Sequence, residues 1–424
     1  MYTLRTPAAL AFVLVTVATV VVLWGRMEQA FAHRWVLAQH AADAAAQQPL
    51  GVASFQPTPA ATAAPKRAPA LPTVRSSPIK PVLIPTPVPP TATALPTPPP
   101  ASSYQAARNA VALRGFSHMW QTWNNCGPAT LAMNLSYFGS TLDQADVGAV
   151  LRHDPDDKNV SPEELVEFAR SQGYQAQMRV NGSADLMRLL LSNGIPVLIE
   201  TWLEPEPNDG MGHYRLLTGY DDAAQYWIGY DSYVSVNLIN PNGDYQGIRM
   251  PYQETDMLWS VFNRTYLLIY TDAQAPTVAA IFGAALDEQV MWQQTLQQAE
   301  AVVKQWPNNA YGWFNLGSSR TALGDYAGAA QAFDRARQLG LPWRMLWYQF
   351  GPFQAYYAVG RAQDVVALAD ATLVNTKSIE ELHYWRGQGL AALGQWDEAR
   401  RAWQRALALN PDYAPAQAAL AAAP

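Results

Sequence analysis

One cysteine, Cys126, occurs in 424 residues. That excludes an intramolecular disulfide framework and any metal centre built on several thiolates. Charge is sparse as well: Asp, Glu, Lys and Arg make up 15% of the chain, the net charge is −6, and no basic run stands out. Such a chain is not built to track a polyanion, so nucleic acid is excluded as its main partner. No acidic residue stands between Asp43 and Asp143. Within that gap, from Pro49 to Ser103, proline, alanine and threonine predominate, as in Pro85-Thr86-Pro87-Val88-Pro89-Pro90. Such a stretch cannot bury a core and its prolines hold it near polyproline II, so residues 35–103 are expected to form a disordered, semi-rigid linker.

Ala8 to Trp24 is apolar apart from Thr16 and Thr19, carries no charge, and lies between Arg5 and Arg26. Extended to Tyr2–Gly25 it is long enough to cross a bilayer with snorkelling ends. Ala30-Phe31-Ala32 has the small-x-small form of a signal-peptide cleavage site, but Arg26 and Glu28 separate it from the apolar run. Residues 1–34 are therefore expected to be an uncleaved transmembrane anchor. The protein would sit in the cell membrane as a single-pass chain with an extracytoplasmic head, or be secreted if the segment is cut.

The length calls for roughly two or three domains. The first begins near Tyr104. Within it Cys126 precedes Gly127-Pro128 and the helix-forming run Ala129-Thr130-Leu131-Ala132-Met133. Proline is favoured in a first helical turn, so a helix opens at Cys126 or Gly127. A thiol there faces the positive end of the helix dipole and several unpaired N–H groups, which favour the nucleophilic thiolate. Ser161 and Glu164 form a capping box for a helix that Gly173 stops, and Ser183 caps another, Ala184 to Leu191. The period then changes to that of strands: Ile195–Thr201, a loop from Trp202 to Gly212, a hairpin of His213–Tyr220 and Tyr226–Tyr230 about Asp221-Asp222, then Val234–Ile239 and Thr265–Thr271. Trp259 and Phe262 are expected in the core. Helices first and an antiparallel sheet after give an α+β fold over residues 104–273.

His213 opens one strand of that hairpin and Asp231 follows the other, so the two can meet across it. A thiol at a helix start with a histidine and an acid on adjoining strands is the equipment of a cysteine hydrolase. The histidine takes the thiol proton and later protonates the leaving amine, and the acid orients the imidazole. The oxyanion needs donors, for which the Cys126 N–H and the amide of Gln121 are candidates. Asp222 is the alternative acid. No cofactor or metal is called for.

Asn125-Cys126-Gly127-Pro128-Ala129, Gly212-His213-Tyr214, Thr218-Gly219-Tyr220-Asp221-Asp222 and Tyr230-Asp231 resemble the bacteriocin-processing (double-glycine leader) cysteine peptidases, and more closely their stand-alone relatives. The resemblance spans roughly Ser117 to Thr271. It implies a papain-like fold with Cys126 as nucleophile, His213 as base, Asp231 as orienter and Gln121 as oxyanion donor. Ser232 stands where that family usually carries proline. One hydrophobic span and no Walker A motif leave no transporter, so coupling of leader cleavage to export does not carry over.

Beyond Tyr270 alanine-rich helical segments recur, marked by Gly324, Gly360 and Gly394, spaced 36 and 34 residues apart. That is the tetratricopeptide period. Residues 280–424 are expected to form an all-α tetratricopeptide solenoid with a half-repeat from Glu288 to Pro307 and a degenerate middle unit from about Leu346 to Thr376. Stacked helical hairpins leave a groove suited to a protein partner. Two functions follow. One is a membrane-anchored, exported cysteine peptidase acting on a peptide or protein substrate that the solenoid recruits. The other is a scaffold whose papain-like domain only binds. On sequence grounds the solenoid is also expected to fold without the head.

Overall fold

A computed structural model describes residues 104–205 and 209–424. The expected anchor and linker lie outside them. Among the described residues no helix is long and apolar enough to cross a membrane.

The head is built on an antiparallel seven-stranded sheet in the order β2-β7-β3-β4-β5-β6. These are Gln175–Arg179, Tyr266–Tyr270, Val197–Leu203, Met211–Asp221, Tyr226–Tyr230 and Ile248–Pro251. A short β1, Ala110–Ala112, continues the edge of β4 where β3 leaves off: β3 pairs with residues 211–217 and β1 with residues 219–221. Gly219 permits this, since a side chain there would collide with the Val111 carbonyl. β4 is the spine, buried from His213 to Tyr220 because helices cover both faces. On one face α1 (Cys126–Ser136), α2 (Gln144–Leu151) and α3 (Pro162–Ser171) close over Leu198, Leu216, Leu267 and Ile269. On the other, α4 (Ala184–Ser192) and α6 (Ala275–Phe282) close over Val197, Ile199, Leu217 and Leu268. Between β6 and β7 runs α5, Tyr252–Ser260, and Trp259 and Phe262 are buried as expected.

Ser161 and Glu164 make the predicted capping box on α3, and Ser183 caps α4. The expected strand Val234–Ile239 is irregular. Asp231 Oδ1 accepts the N–H groups of Tyr233 and Val234, and Asn237 Oδ1 those of Ile239 and Asn240. Donors a ladder would need are already taken. The sixth strand forms later, at Ile248. The loop expected from Trp202 to Gly212 is also shorter, since Trp202 and Leu203 end β3 and Met211 begins β4.

The helical region runs from α7, Glu288–Gln305, through three hairpins: α8 (Ala310–Ala322) with α9 (Tyr326–Leu339), α10 (Gly351–Ala358) with α11 (Ala362–Leu373), and α12 (Glu380–Ala392) with α13 (Trp396–Leu409), closed by α14, Ala414–Ala421. Gly324, Gly360 and Gly394 sit at the three inter-helix turns with φ of 80°, 78° and 79°, a left-handed conformation glycine adopts without steric cost. The helices do not stand apart from the head. Trp202, Val261 and Phe262 share one apolar cluster with Phe314, Phe333, Phe353 and Tyr356. The expectation that the solenoid folds without the head rests on repeat periodicity, which reports contacts between neighbouring repeats and not the surface the array packs against.

Candidate active site

Cys126 is the first residue of α1 and is partly exposed, while Gly127 to Leu135 behind it are buried. Asn125 precedes it as N-cap without a side-chain cap bond. Its amide is used elsewhere: Nδ2 donates to the Gln144 carbonyl and to Gln144 Oε1, and Oδ1 accepts from Arg152. Gln144 also accepts the Thr122 N–H at 2.8 Å and donates to the Trp120 carbonyl at 2.6 Å. The segment leading into Cys126 is thus tied at three points to α2, a helix the sequence reading did not anticipate. Asn124 completes the turn with a φ of 54°.

His213 and Asp231 are 2% and 0% exposed. The hairpin brings them together obliquely, because Leu216 faces Tyr230 and a bulge follows between Leu217 and Gly219. Asp231, one residue past β5, turns back so that Oδ1 lies 3.0 Å from His213 Nε2. The Cys126 thiol and the His213 ring are close enough to shift each other's pKa; with Nε2 engaged by Asp231, Nδ1 is the nitrogen left for sulfur. Arg215 Nε donates to Asp231 Oδ2 at 2.8 Å from a nearly buried position. Arg215 was not among the expected site residues, although its i+2 spacing from His213 in a strand was the available signal. Asp222, the alternative acid, receives Arg188 Nε at 2.7 Å and the Tyr252 hydroxyl at 2.8 Å and takes no part here.

The electrostatics follow from these contacts. Burial opposes ionisation of Cys126, yet the hydrogen bond and charge of His213, aided by the Tyr214 and Gly127 backbone, outweigh it and lower the thiol's pKa. Burial likewise opposes a charged His213, but Asp231 and Cys126 raise it to about 9. Asp231 is held far below the usual carboxylate range, its own burial overcome by His213 and Arg215. Were all four ionised, a thiolate, an imidazolium, a carboxylate and a guanidinium would together carry no net charge, which lowers the cost of charge at this site. Asp231→Asn removes one negative charge from this set, so the imidazolium and with it the thiolate lose support. Iodoacetamide at pH 7 should alkylate Cys126 about tenfold more slowly in that variant, equivalent to one pKa unit. An unchanged alkylation rate would show that Asp231 does not control the pair.

Gln121 is held to the Asp231 loop. Its N–H donates to the Ser232 carbonyl and its Oε1 accepts the Ser232 hydroxyl, both at 2.9 Å. With Oε1 so occupied, Nε2 is the free, donating end of the amide. Serine at 232 therefore supplies a contact that proline cannot. His118, also not anticipated, bonds the Asp231 carbonyl through Nε2 at 2.9 Å and stacks on Tyr245 with centroids 3.5 Å apart. Around the mouth Trp123 and Tyr233 are 73% and 49% exposed, and Tyr233 stands edge-on to the His213 ring.

The loop after β3 approaches the solenoid. Arg344 forms an ion pair with Asp209 and donates to the Asp209 and Gly210 carbonyls. Tyr348 covers Gly212, where an added Cβ would lie 3.2 Å from its ring. The repeats thus contribute a wall next to His213.

Residues 113–249, which include Cys126, His213 and Asp231, match the model of the Peptidase_C39 like family. Residues 380–413 match the tetratricopeptide repeat. No curated protein matches the chain. Among solved structures, a C39-like peptidase from Bacillus anthracis is similar at 16% identity, over 39% of this chain and 98% of that one, with a TM-score of 0.30. The peptidase domain of Streptococcus ComA, a bi-functional ABC transporter of a quorum-sensing pathway, is similar at 17% identity, over 36% and 97%, with a TM-score of 0.28. A double glycine motif protease from an AMS/PCAT transporter, solved with its leader peptide, is similar at 19% identity, over 39% and 99%, with a TM-score of 0.27.

Proposed function

We propose that this chain, a C39-like peptidase domain fused to tetratricopeptide repeats, is a cysteine peptidase that cleaves peptide bonds through a thioester. The observation that carries the reading is that Cys126, at the start of a helix, lies beside His213, whose Nε2 is 3.0 Å from Asp231 Oδ1. The Cys126 thiolate attacks the scissile carbonyl carbon. The Cys126 N–H and Gln121 Nε2 donate to the oxyanion, and collapse gives the thioester as His213 passes its proton to the departing amine. A water deprotonated by His213 then attacks the thioester, releasing the acid and restoring the thiol. Asp231 keeps the ring oriented, and Arg215 keeps Asp231 ionised. The repeats recruit a protein substrate or partner. The apolar run from Ala8 to Trp24 and the Pro-rich segment behind it support a membrane-anchored, extracytoplasmic placement of the head.

The test is digestion of a peptide library by the full chain, read by mass spectrometry, with and without prior alkylation of Cys126. Fragments that vanish on alkylation are expected. A protein that alkylates readily yet cleaves nothing would instead favour a head that only binds. The pH profile adds a second check. His213 must be protonated to release the amine, and its pKa of about 9 keeps it so at neutral pH. The kcat/KM should therefore hold across neutrality and fall as pH rises through about 9. A fall centred near the ordinary histidine pKa of about 6.5 would contradict the ion-pair assignment.

A further inference from the structure

Between the head and the repeats lies a cavity of about 700 Å3. Five carboxylates line it and no lysine or arginine does: Glu163 and Glu164 at the start of α3, Glu200 on β3, Glu381 at the start of α12, and Asp412 before α14. Two of these are already engaged. Glu164 serves the Ser161 capping box, and Asp412 lies 3.9 Å from His153. Glu200 differs: it is 3% exposed, and its Oε2 has no hydrogen-bond partner. Glu381 receives Asn159 on Oε1, and its Oε2 is likewise buried and unpartnered. A buried carboxylate oxygen without a partner is costly, and the fold tolerates it where a ligand completes it. Burial, with the nearby charges of Glu163 and Cys126, pushes Glu200 well above the usual carboxylate range, and a cation beside it would oppose that shift.

The cavity lies beside the strand that carries His213, and its lining does not include Cys126, His213 or Asp231. Glu200 lies directly across from Tyr214, the residue after His213, and the Tyr214 ring sits 3.4 Å from where a Cβ on Gly127 would be. Tyr348, which covers Gly212, is also in its wall. Among the described residues no group of three acids, histidines or cysteines is close enough to hold a metal ion. The space suits a long side chain instead. Met178 and Val180 offer apolar surface to an alkyl stem, while the carboxylates meet its charged end.

We propose that this cavity is the specificity pocket for a lysine or arginine side chain of the peptide substrate, with Glu200 from the head and Glu381 from the repeats as its counter-ions. The proposal rests on the peptidase reading for the word substrate. Asp209, just before β4, does not compete for such a side chain, since Arg344 already pairs with it.

The test is isothermal titration of the full-length Cys126→Ala protein with hexapeptides in which one lysine moves through the positions, each with a norleucine twin. At one position the lysine peptide should bind about tenfold or more tightly than its twin, and Glu200→Gln should abolish the difference. Glu381→Gln, at a less buried site, should reduce it and carries the test should Glu200→Gln fail to fold, as judged by melting. Equal affinities within every twin pair, or a preference untouched by either glutamine variant, overturns the pocket. The same peptides given to the protein with Cys126 intact separate the two readings. Lysine-selective binding without cleavage sinks the peptidase and keeps the pocket; cleavage of twins at equal kcat/KM does the reverse.

Discussion

Cys126→Ala will reduce peptide turnover by about 10^4-fold or more, the scale seen when a triad nucleophile is lost. The fold will remain, because the change removes one partly exposed sulfur from a helix terminus whose buried face begins at the next residue. A second effect separates this from general damage. The thiolate is one of the groups that raises His213 to about 9. Without it the imidazole keeps Asp231 but loses its other anion, so its pKa must fall. NMR titration of the His213 ring in the alanine variant should record that fall with the melting temperature unchanged. Residual turnover near the parent level would remove Cys126 from the mechanism, and an unmoved His213 titration would mean that the two side chains do not interact in solution.

The site was legible in the sequence to the extent that its groups are carried by strong local signals. Cys126 stands before Gly-Pro at a helix start, His213 opens a strand pattern of Leu and Tyr, and Asp231 closes the next. What the sequence did not disclose is the support around them. Gln144 reaches back to fix residues 120–125 from a helix whose capping box uses Asp143 and Asp146 in place of the usual Ser and Glu, so the start signal was weak. Arg215 reads as an ordinary strand residue until its carboxylate partner is known. Similarly, β2 reads Gln-Ala-Gln-Met-Arg, too polar to announce a strand, and it exists because β7 offers a full ladder of partners. The reverse error, at Val234–Ile239, arose because strand propensity counts side chains. It does not count the Asp231 and Asn237 oxygens that take the backbone donors first.

A chain ending at Pro276 will not give a stable head, contrary to what the repeat periodicity alone predicts. The cut removes Val278 and Phe282, which belong to the core under the sheet. It also removes the carbonyls of Ala285 and Leu286, which receive the guanidinium of Arg179, itself 3% exposed. On the other side it uncovers Trp202, Val261 and Phe262, now 1%, 5% and 1% exposed against the repeats. Re-exposing three such side chains costs about 1.5–3 kcal/mol each, roughly 5–9 in all, before the orphaned Arg179 is counted. A domain has only about 5–15 kcal/mol to lose. Polar contacts add to the loss, since Asn315 donates to the Ser260 carbonyl and Ser378 to that of Asp156. The full chain should therefore melt with head and repeats coupled, and Trp202→Ala should destabilise both by about 3–5 kcal/mol. The truncated chain should lose near-ultraviolet circular dichroism and be digested rapidly by trypsin. A truncated head that melts cooperatively and alkylates at Cys126 at the parent rate would show that the shared cluster is dispensable, leaving the repeats only a recruiting role.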